Sequence, residues 1–417
     1  MKLTNSIESR KWAVWGALSM AFFIVFFHRY STAVVADDLI KTLALSSKQL
    51  SALASMYFYS YAIMQIPSGI LADYLGPRKT STIGMLLAAV GSIAFGLSQT
   101  FFMASMARLL VGIGVSVVFI STLKTQAVWF RTREFATISG LTSFIGNLGG
   151  VSATAPLAFL VVALGWRNTF LLVGVVSFLV AIIVYCVVRD TPEEIGLTSY
   201  NSIPLAKGIK LSLGLGLVLK NKQTWPVTVL LTTIMGGLMS VSGLWGVLYL
   251  MHSFGLNKNT AATYLLAMTL GVMIGSTLWG FIADKLGRKK VLLVLGSSVY
   301  TLLWAYLVFG SPSLAMHYPL FFFIGFFSIV FILSFAIVKE ANNPALSGIA
   351  MSVVNTGGFL GAALLNVIIA RILEANWQGT YANGVKVYSL ANYQSAFLII
   401  LIAGLIGIAA SLVIKDK

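Results

Sequence analysis

Twelve apolar runs of helical length divide this sequence, at about 12–35, 49–72, 80–98, 101–129, 136–162, 168–189, 225–252, 261–283, 290–309, 318–340, 346–373 and 392–414. Crossing a bilayer takes roughly 20 mostly apolar residues. Lipid offers no partner to an exposed peptide group, so a spanning segment must be a helix or part of a closed barrel. These runs have helix length, not strand length. Composition agrees: 58% of the 417 residues are hydrophobic and 10% are charged, against about one quarter charged in a soluble domain. The expected fold class is an all-α membrane protein with twelve transmembrane helices.

The net charge of +16 does not point to nucleic acid, because the basic residues form no long run and no aromatic-basic patch. They gather in alternate loops: Lys2, Arg10, Lys11, Arg78, Lys79, Arg131, Arg133, Lys285, Arg288, Lys289 and Lys290 share one face with the chain ends. The other face holds far fewer, chiefly Lys41, Lys48, Arg167 and Lys258. By the positive-inside rule both termini are cytoplasmic, in the inner membrane if the source is bacterial, and anionic lipid headgroups are the natural partner of this charge. The first run is too long for a signal-peptide core and reads as the first span. Cys186 is the single cysteine, so it forms no internal disulfide and is expected to be a buried small hydrophobe.

The longest polar connection follows Arg189 and splits the chain into 1–189, a linker 190–223, and 224–417. Internal repetition supports the division. Gly69-Ile-Leu-Ala-Asp73-Tyr-Leu-Gly76-Pro-Arg78-Lys79 follows the second run, and Gly280-Phe-Ile-Ala-Asp284-Lys-Leu-Gly287-Arg288-Lys289-Lys290 follows the eighth, 211 positions later. Asn147-Leu-Gly149-Gly150 is echoed by Asn355-Thr-Gly357-Gly358 at an offset of 208. The chain reads as two six-helix pseudo-repeats.

The duplicated glycine-aspartate-glycine-basic motif resembles the signature of the major facilitator superfamily between helices two and three. The resemblance covers essentially the whole chain. Arg108-Leu-Leu-Val-Gly112-Ile-Gly114, Trp129-Phe130, Gly165-Trp166-Arg167 and Asp190-Thr-Pro192-Glu193-Glu194 look most like its organic-anion and sugar-phosphate permease branch. The missing Gly-Pro pair in the fifth run argues against a drug-proton antiporter. The resemblance implies a central cavity lined by helices one, four, seven and ten, and gating by Asp73, Arg78, Asp284 and Arg288, with each aspartate pairing with a base or a helix N-terminus in the neighbouring bundle.

Ionisable side chains inside spans are costly and mark function. Arg29 is the leading candidate for an anion partner; pairing with Asp37 or Asp38 is its alternative. Lys124 would add a second positive charge deeper in the cavity. Arg108 is expected to serve structure or coupling, and Glu340 to gate or to pair with Lys339. His28, whose ordinary pKa lies near the working range, is the candidate proton carrier, with a hydrogen-bonding role as its alternative. Tyr57, Tyr61, Gln126, Trp245, Tyr249 and Asn355 are candidate cavity-lining contacts.

No metal-ligand spacing, nucleotide-binding loop or hydrolytic triad is present, so no enzyme activity, cofactor or metal is expected. The sequence favours a monomeric, proton-coupled importer of a small organic anion. An exporter of amphipathic compounds and a transporter-like solute sensor are the alternatives.

Overall fold

The computed structural model describes residues 7–131, 134–200, 211–343, 346–382 and 385–415. Helices dominate them. Ten are long and apolar enough to cross a membrane. An eleventh span is a bent pair, Phe135–Ser152 and Ala155–Leu164, inclined at 42°. Pro156 lies in the first turn after the break, where a missing N–H is tolerated. The twelfth is Ser47–Tyr74, 28 residues long but more polar than the others. In chain order the spans are Ile7–Leu43, Ser47–Tyr74, Gly76–Leu97, Phe101–Trp129, the bent pair, Trp166–Val187, Thr224–Phe254, Lys258–Leu286, Lys289–Phe309, Leu314–Ala341, Ser347–Ala375 and Leu390–Val413. They are called spans 1 to 12 below.

Local chemistry sets the boundaries. Ser46 and Ser389 close capping boxes at the starts of spans 2 and 12, and Thr100 and Asn257 cap spans 4 and 8. The connection after Arg189 is not wholly irregular: it holds a turn at Pro192–Ile195 and a helix at Leu211–Lys220. A two-stranded hairpin, Tyr381–Ala382 with Val385–Lys386, joins spans 11 and 12.

Small residues set the packing, as expected where water supplies no drive between helices. The repeated Asn-x-Gly-Gly segments do equivalent work. A Cβ on Gly149 would fall 2.1 Å from the Phe23 carbonyl oxygen of span 1, and one on Gly357 would fall 2.6 Å from Thr228 Cγ2 of span 7. Spans 5 and 11 thus press their glycines against spans 1 and 7. Large apolar side chains, including Phe102, Phe281, Leu302 and Phe309, face outward, which suits contact with acyl chains; Cys186, expected to be buried, is exposed as well.

Candidate substrate site

Arg29 lies 22 residues into span 1, about 33 Å from its start and near its middle. It is 7% exposed. Its guanidinium carbon stands 4.3 Å from the centre of the Phe26 ring, one turn away on the same helix. Tyr61 of span 2 and Phe359 of span 11 supply two further ring faces, at 5.4 and 5.1 Å. Those two rings are themselves 4.1 Å apart. The arginine therefore sits where the first six spans meet the last six.

No carboxylate pairs with Arg29 among the described residues. Asp37 is bonded to Lys41 at 2.7 Å and Asp38 to Lys258 of span 8, so the expected alternative of an ion pair with either is not what the structure shows. Among the described residues Arg29 Nε has no hydrogen-bond partner, while the guanidinium meets the hydroxyls of Tyr30, Tyr57 and Tyr61. Cation-aromatic contacts are worth about 0.5–2 kcal/mol each, which does not replace the hydration or counter-charge of a buried guanidinium.

A second arginine braces the first. Arg108 of span 4 is 1% exposed and donates from Nη2 to the His28 carbonyl at 3.1 Å. Its guanidinium lies over the rings of Tyr57 (5.0 Å) and Phe95 (5.7 Å). Tyr57 donates in turn to the Val25 carbonyl at 3.3 Å. Both side chains thus grip the span 1 backbone in the turn that presents Arg29. Among the described residues Arg108 Nε and Nη1 and both His28 ring nitrogens have no partner, and His28 is fully buried.

Other expected contacts lie elsewhere. Lys124 donates to the Ala72 carbonyl at 2.8 Å, in the last turn of span 2 and 11 residues past Tyr61, about 16 Å along the helix. It belongs to the end of the molecule that carries the termini, not to the surroundings of Arg29. Gln126 is tied into spans 5 and 1: it donates to Thr142 Oγ1 at 2.5 Å and accepts from Ser139 at 3.1 Å, while Trp15 donates to Thr142. Tyr249 bonds His317 Nε2 at 2.8 Å among Phe254, Tyr393 and Phe397, inside the last six spans. Trp245 is fully buried in one of two π-helical turns of span 7, Leu231–Met235 and Val241–Trp245. Asn355 bonds Gln65 Oε1 at 2.8 Å across the two sets of spans.

The repeated loops differ in their partners. In the first, Asp190 Oδ1 accepts the Arg78 backbone N–H at 2.7 Å, and Arg78 Nε donates to the Tyr185 carbonyl at 2.8 Å. In the second, Lys289 rather than Arg288 pairs with Glu340, and Arg288 is exposed. The side chains of Asp73 and Asp284, expected to form latches, lie outside the described residues. Near the first loop, Glu134 accepts from the Arg131 backbone N–H (2.9 Å) and from Lys11 (3.2 Å), which hold its carboxyl below the usual carboxylate range.

Bonds between the two sets of spans run from the face opposite the termini inward. Ser47 Oγ bonds Tyr388, and its backbone N–H donates to Glu374 at 3.2 Å; Tyr388 and Lys386 also donate to Glu374. Lys258 pairs with Asp38, Ser55 donates to the Ala363 carbonyl at 3.2 Å, and Asn355 meets Gln65 deeper still. Sequence reasoning singled out none of Phe26, Phe359, Glu374 and Tyr388, and took Asp190 only as part of the linker motif. The only signals were position: Phe26 lies one turn before Arg29, and Phe359 one turn after Asn355.

The arrangement of spans recurs in solved structures. A bacterial homolog of the human lysosomal transporter Spinster, in an inward-facing, unoccupied conformation, superposes with a TM-score of 0.75 at 18% identity, covering 97% of each chain. A D-xylose-proton symporter gives 0.72 at 15% identity, covering 97% of each chain. Among curated proteins, the chain is 24% identical to a probable sulfoacetate transporter of Cupriavidus necator, over 71% of each sequence. It is 24% identical to the membrane sensor protein UhpC of Escherichia coli over 91% of this chain and 89% of the other, and 24% identical to a hexuronate transporter of Bacillus subtilis over 89% and 91%. Named cargoes of these relatives are organic anions, as the motif resemblance implies. The profile of the Major Facilitator Superfamily matches residues 18–364 and, in a second overlapping match, 237–417. With its helical spans and duplicated loop, this chain belongs to the Major Facilitator Superfamily and is a transporter-family membrane protein, not an enzyme.

Proposed function

We propose that the protein imports a small organic anion by alternating access of two six-helix halves, 1–189 and 224–417, joined by the linker 190–223. The observation that carries this reading is Arg29, a buried guanidinium near the middle of span 1 with no carboxylate partner among the described residues, placed where the halves meet. Alternating access needs the site at that boundary, so that rocking one half against the other exposes it to each side in turn. Ties between the halves at the face opposite the termini suit a carrier closed on that face. With the basic loops on the terminal face, that closed face is the outer one, and both termini are cytoplasmic. The relatives that carry sulfoacetate and hexuronate support an organic anion as cargo.

The proton is proposed as the coupling ion and the monomer as the working unit. His28 and Arg108 share one buried cluster with Arg29, so a charge change there would be felt at the anion site. Uptake of a labelled organic acid into proteoliposomes, with and without an imposed inward proton gradient, tests both cargo class and coupling. Accumulation that ignores the gradient would contradict coupling. A second reading is a solute sensor, favoured by the likeness to the membrane sensor protein over 91% of the chain. It predicts binding without uptake.

A further inference from the structure

We infer that the site is built for a monoanion, a single negative charge flanked by neutral polar groups. This rests on Arg29 as the anion's partner and adds the charge number to that reading. The basic residues well inside the spans are Arg29, Arg108 and Lys124. Arg108 is sealed at 1% exposure against the Tyr57 ring and held through Nη2 on the His28 carbonyl; its Nε and Nη1 have no partner among the described residues, but they are closed off from any ligand. Lys124 is held on the Ala72 carbonyl, near the terminal face.

The second half brings no further cation to mid-membrane. Span 7, Thr224–Phe254, contains no lysine or arginine. Lys339 lies exposed in the last turn of span 10, and Arg371 lies four residues before the end of span 11. What surrounds Arg29 is aromatic faces, the neutral hydroxyls of Tyr30, Tyr57 and Tyr61, and next to them a pair of carboxamides. Gln65 follows Tyr61 by four residues and Asn355 precedes Phe359 by four, so their mutual bond lies about one turn, roughly 6 Å, from the ring pair.

A monoanion spends its charge on Arg29 and its hydroxyl or carbonyl groups on the carboxamides, which both donate and accept. A second negative charge would lie against ring faces, whose quadrupoles are negative, or against neutral amides. It would be desolvated without a counter-charge. Discrimination by unmatched charge is a stronger filter than size, because the penalty falls on the wrong ligand while the right one loses nothing.

The test uses the purified protein and thermal shift at fixed pH and ionic strength, with acids paired by skeleton: gluconate against glucarate, and 2-hydroxybutanoate against malate. Stabilisation reports binding to the folded state. The monoanion of a pair is expected to bind roughly tenfold or more tightly than its dianion, Arg29→Gln to abolish the shift, and Asn355→Lys, which adds a cation one turn away, to move preference toward the dianion. A dianion that binds as tightly as its partner, with Arg29→Gln still abolishing the shift, overturns the charge number and leaves Arg29 in place. Binding indifferent to Arg29→Gln, or no stabilisation by any of the four acids, counts against both.

Discussion

Asp190 closes the start of span 3: its carboxylate accepts the Arg78 backbone N–H at 2.7 Å and lies where a side chain on Gly76 would have to be. Gly76 has φ +82°, a conformation that costs an L-residue roughly 1–2 kcal/mol, and its Cβ would fall 2.2 Å from Asp190 Oδ2. The first loop of the repeated motif is thus held shut by the residue that begins the linker. Negative charge at a helix N-terminus adds to that hold.

Gly76→Ala is therefore expected to destabilise the protein by about 2 kcal/mol or more, combining backbone strain with displacement of the Asp190 carboxylate. Asp190→Ala removes the cap alone and is expected to cost about 1 kcal/mol. Thermal unfolding in detergent measures both. Equal stability of Gly76→Ala and wild type would show that the loop has another conformation available.

Glu374 collects three donors on the face opposite the termini: the Ser47 backbone N–H, Tyr388 Oη and Lys386 Nζ. Glu374→Ala is expected to loosen that face and expose residues beneath it. Ser51 on span 2 is fully buried there. With exposed Cys186 replaced by serine, labelling of Ser51→Cys by a membrane-impermeant thiol reagent should rise about five- to tenfold on adding Glu374→Ala, as expected for losing one or two net hydrogen bonds. Unchanged labelling would mean that these contacts do not hold the face closed.

At the terminal face, the Lys11–Glu134 bond joins span 1 to the start of span 5. Glu134 is held below the usual carboxylate range, first by the Arg131 backbone N–H and then by Lys11. A carboxyl depressed in the folded state contributes stability above its unfolded pKa, near 4.3, and loses it as pH falls through the lower folded value. Glu134→Gln should thus be less stable than wild type at pH 7, by less than about 1 kcal/mol for a carboxylate that solvent still reaches. The two should converge as pH drops below about 4. A gap that persists at low pH would contradict this.

The spans were legible because lipid enforces a composition that water does not. Even span 2 stood out, although Ser55, Gln65 and its tyrosines make it the most polar. Ser55 and Gln65 face span 11 and Tyr57 faces spans 1 and 4, not lipid. The bend at span 5 was not legible, since Pro156 alone does not say whether a helix breaks or begins anew. Arg29 stood out as a charge in an apolar run. Its box did not, because Phe26 and Phe359 are two phenylalanines among 27 and only the docking of spans 1, 2 and 11 selects them. Tyr249 shows the converse. It looked like a cavity residue, but the fold satisfies it with His317, a partner 68 positions away.

Uptake by proteoliposomes carrying wild type or Arg29→Gln tests the account most directly, with labelled gluconate outside and the proton gradient directed inward. The account predicts accumulation by wild type and a fall on the order of 100-fold or more in initial rate for Arg29→Gln, the loss expected when a buried charge partner is removed, at unchanged folding by thermal unfolding. Accumulation by Arg29→Gln at the wild-type rate would contradict it.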